Sequence, residues 1–126
     1  MRISPAEAHA IMTKEGFTYV DVRTPEEFAS GRPAGSVNVP VSLEGPGGLV
    51  PNERFLSAME AQFAKTASII VGCKSGARSM RALKLLQEAG FMNLLEQRAG
   101  WDGARGTFGE LTEPGWSRAE LPVEKA

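Results

Sequence analysis

The 126-residue chain has one cysteine, one histidine, a formal net charge of −1, and 42% apolar and 23% charged residues. These counts exclude an intramolecular disulfide and a zinc site of several thiolates, and they give no general pull toward nucleic acid or an acidic membrane. The length predicts a single domain, residues 1–126, with a hydrophobic core that needs no covalent staples.

In chain order, "SPAE" opens a helix: Ser4 caps it, Pro5 suits the first position, and Glu7 reaches back to the cap. "FTYVDV", Phe17 to Val22, is rich in β-branched and aromatic residues and reads as a strand. "TPEEF" repeats the helix signal with Thr24, Pro25 and Glu27. "SVNVP" is a short strand closed by Pro40, and "VSLEGPGGLVPN" reads as a loop by its glycine and proline content. Asn52 is placed to cap a helix whose apolar face carries Phe55, Leu56, Met59 and Phe63. "SIIVG", Ser68 to Gly72, has the length and type of a buried parallel strand. The next helix shows Met80, Leu83 and Leu86 with the small Ala82 and Ala89, and Gly90 ends it. "NLLE" is a last short strand. The tail from Gly100 reads as mostly irregular, with a short helix near Trp116 to Ala119. Strands alternating with helices predict an α/β fold with a mostly parallel central sheet and helices on both faces.

Sites in such sheets lie at the carboxyl ends of strands, and Cys73 stands there, in "SIIVGCKSGARSMRALKLL". A turn from strand end to helix start aims several backbone N–H groups into one concavity, and the helix dipole adds positive potential. Gly76 permits a backbone path that a side chain resists. Lys74 and Arg78 add cations, and Arg81 follows one turn on. Such a field stabilises a thiolate and would hold an anionic substrate on amides that need no reorganisation. Free cysteine is among the most buried residue types, but this cationic, glycine-containing loop favours a reactive Cys73 over a core one. For Lys74, a surface charge and a substrate contact stand level. Arg78 is favoured for a site role because it closes the loop. The only histidine, His9, reads as a surface or half-buried helix residue. Without it the base and orienting partner of a cysteine protease are missing, which disfavours amide hydrolysis.

Three blocks resemble the single-domain rhodanese (thiosulfate sulfurtransferase) family: "VDVRTPEEFASGRPAGSVNVP", "IIVGCKSGARS", and "AGWDG" with "PGWSRAELPVE". The resemblance implies a rhodanese-like fold and a persulfide on Cys73. The thiol would take the outer sulfur of thiosulfate or a similar donor and pass it to cyanide, a thiol or a protein. The loop Lys74, Ser75, Gly76, Ala77, Arg78 and Ser79 would bind the substrate, with no metal or organic cofactor. It implies a small anionic sulfur donor and a thiol or protein acceptor. The charge balance and the short apolar runs predict no nucleic-acid or membrane partner, the cytoplasm is the default location, and a monomer or weak dimer is expected. Phosphatases and arsenate reductases of the same fold have one residue more between cysteine and arginine than the Lys74 to Ala77 segment here. The shorter loop therefore favours sulfur over a tetrahedral oxyanion. A persulfide carrier working with a partner protein is the alternative to an enzyme turning over thiosulfate. Gly31-Arg32-Pro33 departs from the family's Gly-His-Ile, so its turn is expected to be shaped differently, and Ala99-Gly100 replaces a glycine pair. The extra segment Ala104 to Glu113 reads either as a flap beside the site or as a neutral loop insertion. Asp21 and Arg23 are expected to form a structural ion pair and turn bonds, with Arg23 near Glu26 or Glu27.

Overall fold

A computed structural model describes residues 1–125. The elements run β1 (Arg2–Ile3), α1 (Pro5–Glu15), β2 (Thr18–Asp21), α2 (Pro25–Ser30), β3 (Arg32–Pro33), β4 (Val37–Asn38), β5 (Ser42–Gly45) and β6 (Gly48–Pro51). They continue with α3 (Phe55–Gln62), β7 (Ser68–Gly72), α4 (Ala77–Glu88), β8 (Asn93–Gln97), β9 (Gly103–Arg105) and β10 (Leu111–Pro114). A 3-10 turn at Trp116–Arg118 and β11 (Val123–Glu124) close the chain.

Five strands form the central sheet in the order β1-β8-β7-β2-β4, and every pairing is parallel. β7 is the middle strand, buried on both faces, as its uninterrupted apolar run requires. Its side chains alternate between two cores. Ile69, Val71 and Cys73 pack with Val20, Phe55, Met59, Leu83 and Leu86 on the side of α3 and α4. Ile70 packs with Tyr19, Ala8 and Trp116 on the side of α1. Helices therefore cover both faces, as the strand and helix alternation predicted.

The helix starts follow their sequence signals. Ser4 and Thr24 each make a complete capping box with Glu7 and Glu27. α4 ends as expected at Gly90, whose N–H donates to Gln87 while that of Phe91 donates to Leu86. Other expectations need correction. Asn52 does not cap α3: Arg54 holds that position without a side-chain bond, and Asn52 instead accepts from the Arg54 N–H and donates to the Pro40 carbonyl. Met80 faces solvent, because the buried stripe of α4 is Ser79, Ala82, Leu83 and Leu86 and Met80 lies off it. "VSLEGPGGLVPN" is a hairpin, β5 against β6, with Pro46 and Gly47 in the turn, Gly45 paired with Gly48 beside it, and Pro51 ending β6 opposite Ser42. The tail is a second hairpin, β9 against β10, bulged near Thr112, and β11 pairs back onto β3. These pairs are short and mostly exposed, so the apolar alternation that marks a buried strand is missing.

Candidate active site

The register of β7 decides where Cys73 emerges. Gly72 pairs with Asp21 at the end of β2, so the cysteine leaves the centre of the sheet at its carboxyl edge. Cys73 is only 2% exposed and belongs to the core cluster under α4. The favoured reading set a reactive Cys73 against a core one, and the structure places Cys73 in the core. The sulfur is buried, yet it accepts the Gly76 N–H at 3.1 Å and lies 3.4 Å from the Ser79 hydroxyl.

The loop reaches this shape because Gly76, the N-cap of α4, sits at φ +108, a conformation L side chains resist. A Cβ there would lie 2.9 Å from the Arg98 carbonyl. The amides of the first turn of α4 have no carbonyl within the helix to bond, and the Gly76 N–H at this helix start goes to the sulfur.

A distant segment fixes the other half of the loop. The N–H of Trp101 donates to the Cys73 carbonyl at 2.7 Å and that of Asp102 to the Lys74 carbonyl at 2.9 Å. In a planar trans peptide the next N–H points opposite to the carbonyl, so these bonds turn the N–H groups of Lys74 and Ser75 away from the tail. Gly100 makes the approach possible: at φ +67, a Cβ would meet the Lys74 and Cys73 carbonyls at 2.5 and 2.6 Å. Buried Gln97 shapes this turn, accepting from the N–H groups of Ala99 and Gly100 and donating to Tyr19 and the Gly100 carbonyl.

Lys74, Ser75 and Ala77 are exposed at the rim, while Gly76 and Ser79 are buried. Arg78 does not stand free. Its guanidinium grips Glu27 of α2 with two bonds, 2.7 and 3.0 Å. Partial burial pushes the Glu27 carboxyl up, but the bonds from Arg78 and the Thr24 N–H outweigh it and hold it at about 2. Glu27 thus closes the capping box of α2 and locks the end of the loop. Arg81 reaches Ser42 at 3.4 Å.

Under the sulfur lies a buried polar chain. Ser79 donates to Glu96, which is fully buried, at 2.5 Å, and Arg2 donates to the other oxygen of Glu96 at 2.6 Å. The sequence reading did not single out Glu27, Glu96, Gln97 or Arg2 for the site. Its one usable signal was the polar pair Glu96-Gln97 ending an apolar strand, since buried polar groups are there to be bonded.

Asp21 and Arg23 form the expected ion pair, buried and two-pronged. Arg23 has Asp21 as its carboxylate partner rather than Glu26 or Glu27, and it also donates to the Gly31 carbonyl and lies 5.1 Å from the Trp101 ring centre. In the divergent turn, Arg32 stacks on Phe28 at 4.6 Å and joins the β3–β11 pair. His9 is half-buried, edge-on to Trp116 at 5.9 Å. The extra segment is the β9–β10 hairpin. Its base follows directly on Trp101 and Asp102, Glu113 is held by Arg98 with two 2.9 Å bonds, and Phe108 near its tip is 94% exposed. Among the described residues no cluster of three or more His, Cys, Asp or Glu side chains is placed to hold a metal, and no helix is long and apolar enough to cross a membrane.

A family profile described as a rhodanese-like domain matches residues 4–105. The chain is 39% identical over 122 residues to thiosulfate sulfurtransferase 16 of Arabidopsis thaliana, a chloroplastic protein, covering 97% of this chain and 91% of that one. It is 30% identical over 125 residues to the thiosulfate sulfurtransferase GlpE of Haemophilus influenzae, covering 98% and 94%. Some plant relatives are longer, and the chain spans 60% of their length. Among solved structures, Rv0390 of M. tuberculosis superposes with a TM-score of 0.81 at 25% identity, covering 99% of this chain and 97% of that one.

Proposed function

Because the chain belongs to the family of rhodanese-like domains, we propose that it is a sulfurtransferase that carries sulfane sulfur on Cys73. The observation that carries this reading is the Cys73 sulfur on the Gly76 N–H, inside a loop of four residues before Arg78. Relatives named thiosulfate sulfurtransferase support thiosulfate or a similar anion as donor. The thiolate attacks the outer sulfur of the donor, the bond from that sulfur to the sulfite sulfur breaks, and sulfite leaves with its electron pair. The resulting persulfide is held by the amides of Lys74 to Ser79, which are oriented in advance and suit an anionic sulfur. A thiophilic acceptor, cyanide in an assay and a thiol or protein in the cell, then attacks the outer sulfur and restores the thiolate. The exposed Lys74 and Ser75 form the rim over which the donor enters. No metal or organic cofactor takes part, and the chemistry suits a reducing, cytoplasmic setting.

Thiocyanate formation from thiosulfate and cyanide tests the reading, with Cys73→Ser expected to abolish it. Incubation with thiosulfate should add the mass of one sulfur atom, removable by a reductant. Wild-type protein that gains no sulfur from any donor would overturn the proposal. The exposed apolar residues Leu43, Leu49 and Val50 on the β5–β6 hairpin favour a second reading, a carrier loaded by a partner protein. Fast loading from a persulfide-bearing protein with slow turnover of thiosulfate would select it.

A further inference from the structure

The thiolate that this reading requires must release a proton from a sulfur that is 2% exposed, and the chain beneath it offers a destination. Ser79 has one hydroxyl proton and three neighbours: the Glu96 carboxylate at 2.5 Å, the Gly76 carbonyl at 3.1 Å and the Cys73 sulfur at 3.4 Å. The Gly76 carbonyl already accepts the Met80 N–H. The carboxylate is the strongest acceptor of the three and claims the Ser79 proton. Ser79 can then offer Cys73 only a lone pair, which suits the thiol and not the thiolate.

We propose that Glu96, acting through Ser79, is the internal acceptor of the Cys73 proton, so that the buried Cys73–Ser79–Glu96 chain shares one proton between two acids. The S–H bond breaks as the proton passes to the Ser79 oxygen, and the former Ser79 proton passes to Glu96. The electron pair stays on sulfur. Protonated Glu96 now donates to Ser79, and Ser79 donates to the thiolate beside the Gly76 N–H. The chain carries one negative charge before and after, balanced by Arg2, so no second charge is created in a buried site. The other charged and titratable groups around it are Tyr19 and the Asp21–Arg23 pair from β2, Arg78 bound to Glu27, and Arg98 bound to Glu113. Apart from buried Tyr19, whose hydroxyl burial pushes up, each is already in a charged pair. None of them lies within hydrogen-bond reach of the sulfur in the way Ser79 does.

The inference rests on Cys73 acting as a thiolate, but its test needs no sulfur transfer. Alkylation of the reduced protein by iodoacetamide reads the thiolate alone, so a protein that never loads sulfur would sink the function and leave this result standing. Glu96→Gln keeps size and can still accept from Arg2, but its amide then donates to Ser79 and cannot take the proton. Without the internal acceptor the pH dependence of alkylation should steepen toward about tenfold per pH unit, the behaviour of a thiol that must lose its proton to solvent. Ser79→Ala, which keeps the Glu96 charge and breaks the bridge, should slow alkylation at about pH 6 roughly tenfold with the same steepening, and the double variant should be no slower than Ser79→Ala alone. If Glu96 is only a fixed negative charge, Ser79→Ala leaves both the rate and its pH slope unchanged. If it is only structural, Glu96→Gln melts lower with an unchanged rate. Either result overturns the proposal, and Ser79→Ala decides it should Glu96→Gln fail to fold.

Discussion

The loop after β7 and the tail after β8 meet at Cys73, and they are built by opposite means. The loop is local: a buried strand, a glycine at positive φ and a helix start follow one another within a few residues. The tail is remote in sequence and works through its own backbone, with Trp101 and Asp102 donating to the carbonyls of Cys73 and Lys74. The loop supplies the cysteine and the Gly76 N–H that its sulfur accepts, while the tail sets the direction of the Lys74 and Ser75 N–H groups. The site is therefore as rigid as its weaker anchor, and that anchor is a turn of small residues around Gly100 packed without clearance.

The sharpest way to break this division is Gly100→Ala. The added Cβ meets two loop carbonyls at 2.5 and 2.6 Å from a left-handed backbone, so steric overlap and strain act together. We expect a loss of about 3 kcal/mol in urea unfolding, and a fall in thiocyanate formation of roughly 100-fold, since a displaced loop misplaces the donors. Gly109→Ala is the matched control. It has φ +80 but open space around it, so it should cost about 1 kcal/mol for strain alone and leave turnover unchanged. Equal effects would show that the tail merely covers the loop.

Gln97→Leu probes the same anchor from beneath. It leaves the buried N–H groups of Ala99 and Gly100 without an acceptor, a cost of about 2 kcal/mol or more. Thermal unfolding should drop accordingly, with turnover falling less than for Gly100→Ala because the Trp101 and Asp102 bonds can still form.

The same contrast explains what could be read from the chain. Ser4, Thr24, Gly76 and "SIIVG" act within a turn of their own positions, so their residue types sufficed to place two helix starts, the central strand and the cradle. Arg78 stands at the end of the loop in the sequence, but its partner is not visible there. Glu27 lies far upstream and already had a complete local role in a capping box, so nothing in its spacing announced a second one. Glu96 looked like the polar end of a strand until β1 brought Arg2 beside it. The two hairpins escaped because exposed strands lack an apolar alternation. Met80 was misplaced by one position on a helix wheel whose true stripe begins at Ser79, a serine kept inward by Glu96.

Glu27→Gln tests an anchor that acts on a loop side chain instead of its backbone. The carboxyl is held at about 2, below its ordinary value near 4.5. A depressed carboxyl stabilises the fold fully above the ordinary value and loses that contribution as pH falls through the depressed one. Wild type should exceed the variant by about 1 kcal/mol at neutral pH, the pair being partly exposed. The gap should hold above about pH 5 and close between about 4.5 and 2. A gap independent of pH across that range would mean that the pair contributes shape and not charge. Sulfur loading should change by less than about tenfold, because the Gly76 amide and Ser79 remain in place.

The smallest effect is expected where the tail leaves the site. Phe108 is 94% exposed near the tip of the β9–β10 hairpin, and the tail's own bonds to the loop, from Trp101 and Asp102, are made at the hairpin's base. Phe108→Ser should alter stability by no more than about 0.5 kcal/mol and leave thiosulfate turnover at the wild-type rate. Loading from a protein donor is the discriminating measurement. If that slows while thiosulfate turnover does not, the hairpin meets a partner and its tip acts as a docking element. If thiosulfate turnover itself slows, the hairpin reaches over the rim at Lys74 and the boundary between anchor and accessory lies further out than Glu113.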